Sequence, residues 1–214
     1  DDVRKLISQT ATAQAAINEL LVQARRLRAD SLFISPPGAN AAELYQRVLA
    51  TDPNNMVALQ GLNEVAAQIL NNVRGQLAQD NLDKAEDLLG QASAAGLPVQ
   101  PLNELRARIE NERSRKAKVI VLLETSQELI ASGYLTAPIN ENATALLREA
   151  LQLDPTNEKA AELLNQCAQQ LADVAQEAYQ YDLQAKAKEY MDLALTINPN
   201  VSKWVELREM WGDR

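Results

Sequence analysis

The chain has 214 residues, of which 46% are hydrophobic and only 4% aromatic, and its formal net charge is -8. This length is enough for a packed core, and the scarcity of aromatic residues favours helices over strands. The acidic balance argues against nucleic acid as a partner, because phosphate binding depends on concentrated Lys and Arg. The chain has no His and a single Cys, Cys167, so it offers neither the commonest general base nor an intramolecular disulfide. We therefore expect no metal, no cofactor and no catalytic residues.

The first predicted element is a long amphipathic helix. Its apolar positions are spaced by threes and fours, which is typical of a helix with one buried face; they are Leu6, Ala13, Ile17, Leu20, Ala24 and Leu27. The helix must end before the loop at 31–38, because Pro36, Pro37 and Gly38 do not continue it.

Two shorter helices follow the loop. Asn40 is a candidate N-cap with Glu43 three residues later, which resembles a capping box. The apolar face that follows predicts a buried side of this helix; it consists of Leu44, Tyr45, Val48 and Leu49. For the next helix, from about 55 to 78, we predict that Asp52 caps the N-terminus and that Pro53 takes the first helical position.

The remaining pattern predicts six further helices. A long one runs from about Pro101 to Ala131, and because residues 110–118 are almost wholly polar, we interpret it as a solvated strut between two bodies. On the last helix, Trp204 and Trp211 share one face, so we expect them in the core or at its end. The five other helices are predicted at about 82–95, 142–153, 156–181, 184–197 and 201–211.

The second half of the chain repeats the first at an offset of 102 positions without a gap. Among the recurring pairs are Pro36 and Pro138, Asn40 and Asn142, Leu49 and Leu151, Asp52 and Asp154, Pro53 and Pro155, Asn63 and Asn165, and Leu105 and Leu207. We predict an all-α, solenoid-like chain made of a duplicated helical module, with lobes at 1–104 and 105–214. Stacked repeats of this kind present surfaces to partners more often than they carry chemistry.

The segments before the Asp-Pro pairs resemble the second helix of a tetratricopeptide repeat. The residues that carry this resemblance are Ala41, Tyr45, Val48, Leu49, Asp52 and Pro53, then Ala143, Leu147, Ala150, Leu151, Asp154 and Pro155, and Ala187, Met191, Ala194, Leu195 and Pro199. The chain departs from the family in two respects. Successive Pro-equivalent positions are 44, 58 and 44 residues apart instead of ~34, and Asn63 and Asn165 stand where the family usually has Gly.

The loops at 35–40 and 136–142 are similar to those in repeat segments of bacterial membrane-anchored envelope proteins, such as TonB-like transducers and Ser/Thr kinases. This resemblance implies a periplasmic or cell-envelope location, with a membrane anchor outside this segment, and a cytoplasmic location is the alternative. The chain has no run of 18 apolar residues and begins at Asp1 without an initiator Met or signal peptide, so we expect an excised soluble segment.

The leading functional prediction is a noncatalytic scaffold that binds another protein, with self-association left open. The candidate contact residues are Phe33, Pro36, Pro37 and Asn40 in the first loop, and Asn63 and Asn165 on helix faces. In the alternative interpretation the loop residues only fix the turn into the next helix, and each Asn packs against a neighbouring helix. A second functional class, a ligand-sensing ectodomain of a membrane-anchored signalling protein, would need a closed polar pocket.

Overall fold

The computed structural model describes residues 2–212, apart from the side chains of residues 5, 6 and 99. The described residues form helices joined by short turns and contain no strand, so the predicted all-α class is confirmed. The helices are α1 (Asp2–Ala29), α2 (Ala41–Thr51), α3 (Met56–Ala78), α4 (Leu82–Ala94), α5 (Val99–Ala131), α6 (Ala143–Leu153), α7 (Glu158–Gln180), α8 (Gln184–Ile197) and α9 (Ser202–Gly212).

The chain divides into two compact units between Arg113 and Ser114, within α5. This division lies further along α5 than the predicted boundary at 104 and 105. Side-chain contacts account for its position. Arg113 forms ion pairs with Asp83 and Glu86 at the start of α4, whereas the Arg115 guanidinium donates to the Leu153 carbonyl at 2.9 Å.

Asn40 caps α2 as predicted, since its side-chain oxygen accepts the Glu43 backbone N–H at 3.0 Å. The Glu43 carboxylate accepts the backbone N–H of Gly38 at 2.7 Å. This contact ties the loop to the first turn of α2, so Glu43 stabilises the loop in addition to the Asn40 cap.

The N-cap predicted for the next helix is wrong. Asp52 ends α2, where its backbone N–H donates to the Val48 carbonyl at 2.8 Å. Asn55 caps α3 instead, because its side-chain oxygen accepts the Ala58 N–H at 3.1 Å while its amide donates to the Asp52 carboxylate at 3.0 Å. The Asp-Pro pair therefore forms the turn between two helices rather than the start of one.

In the core of the first unit, an aromatic ring packs against a glycine. The Tyr45 side chain on α2 is 1% exposed and lies directly over Gly61 of α3, so that a Cβ at Gly61 would overlap the ring. A glycine is therefore required for this close approach. In the second unit, α6 and α7 hold Leu147 and Leu163 at the matched positions, and both are buried.

Some of the predicted helix faces differ from the observed ones. Ala13 was predicted on the buried face of α1, but every described side chain from 2 to 16 is exposed, and burial begins at Ile17. The side chain of Leu6 lies outside the described residues. Leu49 and Leu151 are half-buried at the edge of their cores, because Val48 and Ala150 are the residues that point inward.

The C-terminal part of the second unit is closed by α9. Trp204 and Trp211 are 5% and 3% exposed, so the prediction that they belong to the core is confirmed. The Trp211 ring stacks on Tyr179 of α7, with centroids 4.7 Å apart and an interplanar angle of 13°. The Arg208 guanidinium also pairs with Asp192 of α8 at 2.6 Å. These contacts hold α9 against α7 and α8.

Candidate protein-binding surfaces

The loop between α1 and α2 contains four of the residues predicted to bind a partner. Phe33 is half-buried and packs against the core of the first unit, while Pro36 and Pro37 are exposed. Asn40 is 0% exposed, and its amide donates to the Pro36 carbonyl at 3.0 Å in addition to the capping bond. Asn40 thus holds the loop in place, and the exposed surface of this loop consists of the two prolines.

The loop between α5 and α6 is held in the same way but presents a different surface. The Asn142 amide donates to the Pro138 carbonyl at 2.7 Å, and its oxygen accepts the Ala145 N–H and the Thr144 hydroxyl, each at 2.9 Å. At the tip, Asn140 has φ of 67°, a left-handed conformation that Asn tolerates well. The backbone of the tip is therefore set by buried side chains beneath it.

Two large apolar side chains project from this second loop. Tyr134 is 52% exposed and Ile139 is 85% exposed. Sequence reasoning missed both residues; the available signal was that an aromatic residue and an aliphatic residue replace Leu32 and Pro37 of the first loop. Large apolar side chains exposed on one loop can mark a binding site.

Two cavities flank the second loop. One of about 480 Å³ lies between the end of α5, the loop and α6, and it is lined by Thr125, Leu129, Tyr134, Pro138, Asn140, Glu141 and Leu146. The other, of about 250 Å³, lies between the loop, α6 and α8, and Ile139 and Arg148 are among its lining residues. Because Asn140 lines both cavities, the loop tip forms a ridge between them.

Asn63 and Asn165, the other predicted contact residues, are exposed on α3 and α7. The Asn165 side-chain oxygen accepts the Asn198 amide, beyond the end of α8, at 3.2 Å. This contact places Asn165 next to the α8–α9 turn. Asn165 is therefore exposed and also hydrogen-bonded to a neighbouring segment, and its contact with a partner stays a prediction.

Each unit also has a shallow groove between its first and third helices. In the first unit the groove encloses about 180 Å³ and contains an ion pair between Arg28 and Glu64. In the second unit it encloses about 380 Å³ and is lined by Gln127, Gln166 and Gln170 together with Ile130, Ala131 and Leu163. The grooves thus differ in charge, and neither brings a nucleophile next to a general base.

The described residues include no group of three or more His, Cys, Asp or Glu side chains placed to hold a metal ion. Among the described helices, none combines the length and apolar content needed to cross a membrane. Cys167 is 0% exposed in the core of the second unit, where it packs as a small apolar residue.

We expect the Cys167 thiol to be unreactive in the native protein. Burial raises its pKa to about 11, so almost none of it is thiolate at neutral pH, and the thiolate is the nucleophile. An Ellman assay should detect no thiol in the native state and one thiol per chain in guanidinium chloride. Rapid labelling of the native chain would contradict the assigned packing of α7.

The pKa of a carboxyl group is also shifted in the turn between α6 and α7, at Asp154. The Asn157 amide and the Thr156 hydroxyl donate to Asp154 at 3.0 and 2.9 Å and hold the pKa of its carboxyl below the usual value. Thr156→Ala should raise the pKa of Asp154 towards its usual value in a carboxyl NMR titration. Because the folded-state pKa is lowered, the stabilisation is present above the unfolded pKa and is lost as the pH falls through the folded value. An unchanged titration in Thr156→Ala would contradict the assigned hydrogen bond.

Comparisons with known proteins leave the relationship of this chain open. No protein-family model matches the chain, and neither the curated proteins nor the solved structures give a significant match.

Proposed function

We propose that this chain is a noncatalytic scaffold, built from two copies of one tetratricopeptide-like module, that binds another protein through its second loop. Support for the duplication comes from backbone geometry at matched positions. Left-handed residues occur in matched pairs at Ser31 and Gly133, Gly38 and Asn140, and Asp80 and Asp182. The caps Asn40 and Asn142 have φ of -136° and -137° with ψ of 162° in both.

The observation that carries the binding proposal is that the second loop exposes two large apolar side chains, Tyr134 in the wall of the 480 Å³ cavity and Ile139 in the wall of the 250 Å³ cavity. Burying a side chain such as Ile139 stabilises a complex by about 1.5–3 kcal/mol. Tyrosine is enriched among residues that dominate binding energy, because its ring gives a large contact area and its hydroxyl can still bond. A partner that covers the loop would bury both side chains, and both contacts would stabilise the complex.

The surroundings of the cavity indicate the chemistry of the partner. Leu129, Pro138 and Leu146 give it an apolar wall, and Thr125 and Glu141 provide a polar edge. We infer that the partner inserts one or two apolar side chains and offers a hydrogen-bond donor or a basic group to Glu141. Because the hydrogen bonds of Asn142 hold the loop backbone, the site loses little conformational entropy on binding.

Site-specific photo-crosslinking tests this proposal. A photoreactive amino acid at position 139 should give a discrete covalent adduct with one protein in cells that produce the chain, and Tyr134→Asp should abolish that adduct by placing a charge in the apolar contact. The matched control carries the same photoreactive residue at Val174, which is 42% exposed on α7 and remote from the loop in sequence. Far-ultraviolet circular dichroism establishes that each variant keeps its helical content.

Equal labelling from positions 139 and 174, or an adduct that survives Tyr134→Asp, would show that the second loop is not the contact surface. Turnover of a substrate by the purified chain would overturn the noncatalytic proposal.

A further inference from the structure

A short segment occurs three times in the chain, at successive offsets of 102 residues. The copies read DVRKLI at 2–7, ELRARI at 104–109 and ELREMW at 206–211. Each copy has an acidic residue, then an apolar residue and an Arg, and ends on a large apolar residue. The three copies lie near the starts of α1, α5 and α9.

Two of the three copies pack against the core of the helices that precede them in the chain. In α5, Leu105 and Ile109 are 8% and 2% exposed in the core of the first unit. In α9, Leu207 packs against the core of the second unit and Trp211 is 3% exposed within it. The segment at the end of each module therefore covers the helices that precede it in the chain.

The first copy has no such cover in the described structure. Val3 and Ile7, which occupy the positions of Leu105 and Ile109, are 71% and 64% exposed. The rest of α1 follows α5 in one respect, because an exposed stretch without large apolar side chains leads to Ile17, which is buried as its counterpart Val119 is. Hence α1 has the sequence pattern of a complete helix of the α5 kind. Its second part packs against the core of the first unit, whereas the first part, with Val3 and Ile7, is exposed.

We propose that Val3 and Ile7 pack into the core of a further helical module of the same kind, placed N-terminal to residues 2–7. This inference rests on the duplication in the proposed function. A second copy of this chain fits less well as the occupant, because the corresponding positions in both of its cores are already filled by Ile109 of α5 and Trp211 of α9.

A three-module chain tests the proposal. Residues 1–102 are repeated, without a linker, in front of the full 214-residue chain, so that the original Val3 and Ile7 follow a complete module. Amide hydrogen exchange across residues 2–16 should slow by at least about tenfold relative to the 214-residue chain. In the three-module chain, Ile7→Asp at the internal copy should lower the denaturation midpoint of the added module, whereas in the 214-residue chain it should leave the midpoint unchanged.

Ile109→Asp in the 214-residue chain is the matched control, and Ile120→Asp, at a side chain that is 55% exposed, controls for the added charge. If Ile109→Asp fails to destabilise the first unit, the matched positions of the duplication are wrong, and the duplicated module in the proposed function is overturned as well. If Ile109→Asp destabilises but Ile7→Asp has no effect in the three-module chain, or the added module does not fold, only the present inference is overturned. Dimerisation of the 214-residue chain that Ile7→Asp abolishes would overturn it in favour of a second copy.

Discussion

Gly61→Leu is expected to lower the free energy of unfolding of the first unit by about 3 kcal/mol, and adding Tyr45→Leu should recover most of that loss. The Leu side chain at 61 would occupy the volume of the Tyr45 ring, and overpacking of this kind is strongly destabilising. Tyr45→Leu alone leaves a cavity over Gly61 and should cost about 2 kcal/mol. In the double variant the two positions hold the Leu pair that the second unit has at 147 and 163.

Urea denaturation followed by far-ultraviolet circular dichroism measures all four members of this cycle. The coupling energy between the two positions should be favourable by at least about 3 kcal/mol, the upper end of the range that contacting residues show. The second unit provides an internal control, since the fluorescence of its two tryptophans, Trp204 and Trp211, should report the same transition in every variant. Additive losses in the double variant would show that Tyr45 and Gly61 are not in contact.

Trp211→Ala is expected to lower the free energy of unfolding of the second unit by about 3–5 kcal/mol, as is typical of a buried aromatic residue. The substitution removes a ring that is 3% exposed and stacked on Tyr179, and it loosens the attachment of α9. The fluorescence of Trp204, which remains in the variant, follows the transition in urea.

Met210→Ala is the matched control for Trp211→Ala, because Met210 is the preceding residue and is 59% exposed. Its effect should stay within about 0.5 kcal/mol, as for other surface substitutions. Equal losses from the two substitutions would mean that α9 frays as a whole, and that the stacking of Trp211 contributes little.

Local sequence signals predicted the helix limits well. Pro and Gly interrupt the helical pattern at 36–38, and Asn40 and Asn142 supply side-chain oxygens that accept the first free N–H groups of α2 and α6. At the Asp-Pro turns, local sequence signals did not identify the capping residue. Asp52 and Asn55 are both good capping residues, and the hydrogen bond between their side chains, which makes Asn55 the cap, forms only in the folded turn.

The helical character of this chain and the ends of most helices were determined by the sequence itself, because capping and helix breaking act between residues a few positions apart. The tertiary structure decided what lies against each helix face. The period of α1 alone does not show that burial begins at Ile17, and Gly61 acquires its role only from the Tyr45 ring on another helix. The cavity beside Tyr134 likewise exists because α5, the loop and α6 converge there. Packing of this kind joins residues that are distant along the chain, and a periodic pattern of apolar residues does not specify which of them meet.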